Sequence, residues 1–383
     1  MSALSKTLVP LLTLFVGLTT GANFNHLIKL NDAASSWTVH EGTPLYYSSA
    51  RSHYSVADLL VTPMTYYDPD VAITLSPNAR FRLLSYMEPL DMVKDGMRYS
   101  HYFVLDEFDE LKYKVTQASG SDLKAHVAAV SDDGVLALVD PISAHIQLYK
   151  NGERIVETPL YQTKGDYSLE RKARVYWQNK LCYVLIERPG FEGAQAENVL
   201  LISIDASGNN QKTKILPFTY LQQASFHSGR IFISGYSYNA IEQRMSPLIL
   251  EANEEGDVLW TNEHFGHELA VSNNGKYLAA KSNHGQVVLF DLEQERVQEI
   301  DFAKEEKVAL GLSVDNSGEV ALIRVVSDFF IKRNTHFAEV FFPKQQKSIQ
   351  IQLDPKYPPM FQLYSDGNQF YLGTRYEWLE ISE

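Results

Sequence analysis

Apolar and polar positions alternate along most of the chain, and one phrase of that alternation recurs. An apolar pair leads into Ser, Asp or Asn with a turn residue, and a second alternating run follows. It reads ITLSPNARFRLLS (73–85), AAVSDDGVLALVD (128–140), ARVYWQNKLCYVLIE (173–187) and QQASFHSGRIFISG (222–235). It returns as LAVSNNGKYLAAK (269–281), LSVDNSGEVALIR (312–324) and FQLYSDGNQFYLG (361–373). The turn residues Ala79, Gly134, Asn179, Gly229, Gly275, Gly318 and Gly367 lie 43 to 55 residues apart, 48 on average. Each phrase predicts a β-hairpin, two short alternating strands joined by a turn rich in Gly, Asn, Asp and Ser. A second hairpin tends to follow, as in LLISIDASGNNQKTKIL (200–216), LILEANEEGDVLWTN (248–262) and VVLFDLEQERVQEI (287–300).

Four strands in about 40 to 50 residues make one blade of a radial β-array. Helical repeats would need apolar residues at i, i+3, i+4 and i+7, whereas these segments keep period two. A two-sheet sandwich uses similar strands but does not account for seven evenly spaced hairpins. The expectation is an all-β chain: a seven-bladed β-propeller of four-stranded antiparallel blades. The last repeat (361–383) has room for only about three strands at ordinary strand lengths. FNHLIKL (24–30) alternates and supplies the missing outer strand, so the ring is closed by an N-terminal strand. Closure covers an edge that would otherwise stay unpaired.

Two blades carry family resemblances. GHELAVSNNGKYLAAKSNHGQVVLFDL (266–292) resembles a WD-repeat blade: Gly266-His267 stands at the Gly-His pair and Phe290-Asp291 at the Trp-Asp pair. It departs at the second turn, where His284-Gly285 replaces Asp-Gly and removes the Asp of that family's buried tetrad. LILEANEEGDVLW (248–260) looks like the repeat of quinone-dependent dehydrogenase propellers, with Ala252, Gly256 and Trp260 at the docking positions. Together they imply the propeller superfold and no single family, and a superfold does not specify function.

The first 22 residues differ from the rest. Lys6 is their only charge, TLVPLLTLFVGL (7–18) is apolar, and small residues lead to Ala22. This is the pattern of a secretory signal, with an uncut N-terminal anchor as the alternative. Pro10 and the short apolar run argue against a membrane span, so none is expected after cleavage. Residues 23–383 then form one propeller domain. Residues 31–70 are an insertion before the first full blade, carrying Trp37, Tyr46, Tyr47, Tyr54, Tyr66 and Tyr67. Cys182 is the single cysteine, which excludes an internal disulfide. Export without disulfides suits a periplasm or cell surface.

Net charge is -13, from 34 Lys and Arg against 47 Asp and Glu. That balance repels phosphate backbones and anionic headgroups, so neither nucleic acid nor a membrane surface is an expected partner. No phosphate loop, zinc-type Cys/His set, nucleophile elbow or HExxH helix is present, and no catalytic residue, metal or cofactor is assigned. Asp68 and Asp70 read as an Asp-Pro turn, with calcium ligation as the alternative.

The second-to-third strand connection is long in four blades: 87–101, 188–198, 236–247 and 326–336. In blades two, five and seven it is short. In a propeller these connections emerge on one face, together with those between blades. Tyr and Arg, which dominate binding hot spots, concentrate there. Arg188, Tyr236, Tyr238, Arg244, Arg333, His336 and Arg375 are the candidate binding residues. The leading expectation is a monomeric, exported interaction module for a protein or peptide of the cell envelope. The alternatives are a propeller enzyme (lactonase, lyase or quinone-dependent dehydrogenase) acting at the central channel, and a structural envelope component.

Overall fold

The computed structural model describes residues 23–29, 34–40, 43–48, 71–88, 97–120, 127–161, 172–189, 196–209, 211–239, 241–263, 268–281, 286–300, 307–326, 337–345, 347–352, 362–374 and 377–382. Among them every regular element is a strand. The chain opens with β1 (Asn23–Lys29) and a hairpin, β2 (Ala34–His40) and β3 (Thr43–Ser48). Blade 1 follows as β4 (Val71–Leu75), β5 (Phe81–Met87), β6 (Met97–Asp106) and β7 (Leu111–Gly120). Blade 2 holds β8 (Val127–Val130), β9 (Leu136–Asp140), β10 (His145–Lys150) and β11 (Glu153–Pro159). Blade 3 holds β12 (Ala173–Gln178), β13 (Leu181–Pro189), β14 (Ala196–Asp205) and β15 (Lys212–Leu216). Blade 4 holds β16 (Tyr220–His227), β17 (Arg230–Asn239), β18 (Arg244–Asn253) and β19 (Val258–Asn262). Blade 5 holds β20 (Glu268–Val271), β21 (Tyr277–Lys281), β22 (Val287–Asp291) and β23 (Arg296–Ile300). Blade 6 holds β24 (Lys307–Val314), β25 (Val320–Val326), β26 (Phe337–Phe342) and β27 (Lys347–Gln352). Blade 7 combines β28 (Gln362–Ser365), β29 (Phe370–Gly373) and β30 (Glu377–Ser382) with β1 on its outer edge.

The seven four-stranded sheets are antiparallel meanders, so the chain is a seven-bladed β-propeller. Asn23 pairs with Ser382 and Lys29 with Glu377, so the N-terminal strand closes the ring as its alternation predicts. Neither edge of blade 7 waits on a distant partner once β1 is in place. The insertion contributes the β2–β3 hairpin, which lies beside β4, the innermost strand of blade 1.

The first turn of each blade shows why Ser or Asp recurs before it. In blade 2 the Ser131 hydroxyl accepts from the Val135 amide at 2.9 Å, while the Gly134 amide donates to the Ser131 carbonyl. Gly134 holds φ at +71°, a conformation that costs a residue with a Cβ about 1–2 kcal/mol. Ser76, Ser272 and Asp315 cap the corresponding turns of blades 1, 5 and 6 in the same way. These turns also join neighbouring blades. Asn78 donates twice to the Asp132 carboxylate, Asn179 to Glu254, Arg230 to the Gly275 carbonyl, and the Asn274 amide to Asn316. Glu254, in the outer turn of blade 4, is thus a tie between blades 3 and 4.

The core lies between blades. Tyr183, Leu185, Val199 and Leu201 of blade 3 meet Leu221, Ile231, Ile233 and Leu250 of blade 4 in one cluster. Cys182 is fully buried between blades 2 and 3, and burial pushes its thiol far up, so it packs as a small apolar residue.

Candidate functional site

The face opposite those turns carries the second-to-third strand connections and the crossings between blades. Its described part centres on blades 3 and 4. The segment 236–247, which reads as a loop, is mostly strand. Tyr236 pairs with Pro247, Ser237 with Ser246, Tyr238 with Met245, and Asn239 with Arg244. The extra length therefore builds a longer, stiffer hairpin, with β17 and β18 at ten residues each. The same holds at blade 3, where β13 runs on to Pro189 and β14 begins at Ala196.

The hairpin tip is held by its own polar groups. The Asn239 side-chain oxygen accepts from the amides of Ile241 and Glu242 at 3.0 and 3.2 Å. Arg244 donates through Nε to Glu242 at 2.6 Å. Apolar side chains remain outside: Ile241 is 94% exposed, Tyr238 43% and Met245 37%. The base of the hairpin is fixed to the start of β16, where the Thr219 amide donates to the Tyr236 carbonyl at 2.7 Å. The Tyr238 amide donates back to Thr219 Oγ1.

Beneath the hairpin, a buried carboxylate aligns blade 3 with blade 4. Glu187, at the end of β13, accepts from the Lys172 amide at 3.0 Å and from the Leu221 amide at 2.7 Å. Burial pushes its carboxyl above the ordinary range, and those two amides, helped by the nearby Lys172 and Arg174 charges, pull it part of the way back. Lys172 immediately precedes β12 and Arg174 is its second residue. Both are exposed and reach across to Gln222 of β16. Lys172 Nζ donates to its side-chain oxygen at 3.0 Å, and Arg174 Nη2 to its carbonyl at 3.2 Å. The next residue, Gln223, donates to the Leu269 carbonyl and accepts from the Leu269 amide, both at 3.0 Å, tying blade 4 to blade 5.

Blade 1 contributes His101, stacked on Tyr86 with ring centroids 5.6 Å apart. His101 Nε2 lies 3.1 Å from the Glu88 carboxylate and Nδ1 3.0 Å from the Thr116 hydroxyl. A carboxylate only accepts, so the neutral ring carries its proton on Nε2 and takes the Thr116 hydrogen on Nδ1. Burial lowers the affinity of His101 for a second proton, against the pull of Glu88.

Of the candidate residues read from sequence, Arg188, Tyr236, Tyr238 and Arg244 fall on this face. Tyr238 and Arg244 are exposed, whereas Arg188 and Tyr236 are half-buried. Arg333, His336 and Arg375 lie outside the described residues, as do residues 1–22, Asp68, Asp70, His267 and His284. Sequence reading missed Lys172, Glu187 and Gln222, because their meeting depends on how two blades pack. A basic pair leading into an inner strand (KAR, 172–174) is the only local sign. Among the described residues no three His, Cys, Asp or Glu gather in a way that would hold a metal ion.

No family model and no curated sequence matches the chain. Solved structures match it in fold. The crystal structure of BamB from Moraxella catarrhalis aligns over 94% of this chain and 98% of that one, with a TM-score of 0.51 and 10% identity. The C-terminal WD40 domain of Sif2 aligns over the same shares, with a TM-score of 0.55 and 10% identity. Apo AztD from Citrobacter koseri covers 92% of this chain and 90% of its own, with a TM-score of 0.51 and 8% identity. At such identities the likeness shows the β-propeller fold alone.

Proposed function

We propose that this propeller is an exported interaction module that docks a protein or peptide of the cell envelope on the face just described. The observation that carries the reading is the β17–β18 hairpin. Its tip holds Tyr238, Ile241 and Met245 in water on a backbone braced by Asn239 and Thr219. Exposed apolar groups on a rigid support bury area on binding at little ordering cost. Arg244 stands in the same tip and Arg188 near the end of β13 on the neighbouring blade, and Arg pairs with carboxylates in a fixed fork geometry. Export rests on the signal-like residues 1–22, and a mature chain starting at Asn23 in envelope fractions is the expected species. An intact mass retaining Met1 would overturn cleavage.

Reversible cross-linking in the native envelope, followed by purification, tests docking. Replacing Ile241 with Asp, or truncating Arg244 or Arg333 to Ala, should each weaken partner recovery by the equivalent of about 1–3 kcal/mol. The thermal midpoint should stay unchanged. Full retention in Ile241→Asp combined with Arg244→Ala would overturn this choice of face.

A further inference from the structure

The inner rim between blades 3 and 4 has a polarity that the rest of the chain does not lead one to expect. In a chain with 13 more acids than bases, basic side chains find carboxylates readily. Lys112 pairs with Asp106, Arg154 with Glu157, Lys214 with Asp257, Arg230 with Glu251, and Lys276 with Glu293. Lys172 and Arg174 do otherwise. Among the described residues their partners are neutral: the side-chain oxygen and carbonyl of Gln222, and the Ala173 carbonyl. Glu187, beside them in the fold, is spent on two backbone amides, one of them that of Lys172 itself. It therefore fixes the start of β12 against β16, and it meets the two cations only through space, its bonds going to backbone amides and not to their side chains.

Donor capacity remains on both side chains. An ammonium has three N–H groups, of which Lys172 uses one here. A guanidinium has five, and Arg174 uses one on each terminal nitrogen. The two cations meet at one residue, Gln222, so a single carboxylate can take the free edge of the Arg174 fork with one oxygen and Lys172 with the other. Both face solvent, so neither must be dehydrated from a buried site before binding.

We propose that Lys172 and Arg174, with Gln222 as their resting partner, form a carboxylate clamp on the inner rim between blades 3 and 4. The docked partner presents an acidic peptide segment to it. The inference rests on the docking face proposed above and deepens it by naming the partner's chemistry. A peptide carboxylate fits better than a polyphosphate. The net charge of -13 repels a densely charged polyanion over its whole length, whereas one or two carboxylates meet only the local field. The apolar hairpin tip on the neighbouring blade fits apolar residues beside the acidic ones.

The test uses the full mature chain and a fluorescein-labelled decapeptide of alternating Glu and Leu, read by anisotropy. Its Gln-for-Glu counterpart and inorganic phosphate serve as probes beside it. The Glu peptide should bind with an affinity that falls as salt rises, and the Gln peptide should bind at least tenfold more weakly. Lys172→Gln combined with Arg174→Gln should lose at least tenfold in Glu-peptide affinity, with an unchanged melting curve. The rim variant Arg154→Gln with Lys214→Gln should bind as the wild type does. Equal affinity of the double clamp variant for the Glu peptide would overturn the proposal. Displacement of the peptide by inorganic phosphate at equimolar concentration would overturn the peptide assignment in favour of a phosphate site. Cross-linked partner recovery separates the two levels. If the partner is retained by the clamp variant and lost from Ile241→Asp, the clamp is refuted while the docking face stands.

Discussion

Replacing Gly235 with Ala isolates the support under the hairpin. Gly235 lies in the middle of β17, opposite Leu221, where β16 is interrupted by a bulge before Gln223. A Cβ there would overlap the Tyr220 carbonyl oxygen and sit 3.0 Å from Phe218 Cδ1 and 3.2 Å from the Tyr220 carbonyl carbon. Backbone cannot swing aside as a side-chain end can, so β16 and β17 must part by on the order of 1 Å in a close-packed interior. Two bonds sit on the displaced stretch: the Thr219 amide to the Tyr236 carbonyl, and the Leu221 amide to Glu187, both 2.7 Å. Weakening them costs about 1 kcal/mol each, and overpacking adds about 1–3 kcal/mol. The expected loss is about 3–5 kcal/mol, a large share of the 5–15 kcal/mol that typically stabilises a domain. Urea unfolding followed by intrinsic fluorescence should show a clearly lower midpoint with the slope preserved. A variant within about 0.5 kcal/mol of the wild type, as for an exposed substitution, would refute the close approach of the two strands.

Deleting residues 23–29 strips β1 from β30 and leaves blade 7 with an open edge, so the thermal midpoint should fall markedly and unfolding should broaden. An unchanged scanning-calorimetry trace would contradict closure. Gln223→Ala removes both bonds to Leu269 and should cost about 1–3 kcal/mol in the same assay, with no loss if blades 4 and 5 are joined otherwise. Glu187 has a folded-state pKa raised by burial, so between the ordinary carboxylate range and the raised value the native state holds more protons than the unfolded one. Its contribution to stability therefore falls as pH rises through that window. The stability difference between wild type and Glu187→Gln should shift in favour of the wild type as pH is lowered through that window, and a constant difference would refute the burial of this charge.

The blade count and the ring closure were legible in the chain because both rest on local signals. Ser131 or Ser272 before a turn, Gly134 or Gly275 within it, and period-two alternation on either side suffice to mark a hairpin, and FNHLIKL needs only its own alternation. The segment 236–247 reads differently from how it folds. Ser237, Asn239 and Pro247 favour a loop by composition, since a proline lacks the amide a central ladder uses. Here it faces Tyr236 at the base of a projecting hairpin, beyond the last pairing of β18 with β19, where a missing donor is tolerated. The carboxylate brace and the basic pair were illegible for a different reason. Glu187 and Leu221, or Arg174 and Gln222, are far apart in sequence and meet only because the first two strands of blade 3 pack against the inner strand of blade 4. No periodicity within one blade encodes that meeting. The candidate anchors were legible only as residue types: Tyr238 and Arg244 stand in solvent, whereas Arg188 and Tyr236 are half covered.

The most direct test of the docking face is photo-cross-linking from single positions in cells that produce the full chain. A photoactivatable side chain is placed in turn at Tyr238, at Ile215 on the outer strand of blade 3, and at Asn78 in a turn on the opposite face. All three are exposed, so each reports equally on what approaches it. One discrete protein adduct is expected from position 238, and none of that adduct from 215 or 78. The same adduct formed from 215 or 78, and absent from 238, would contradict the docking face.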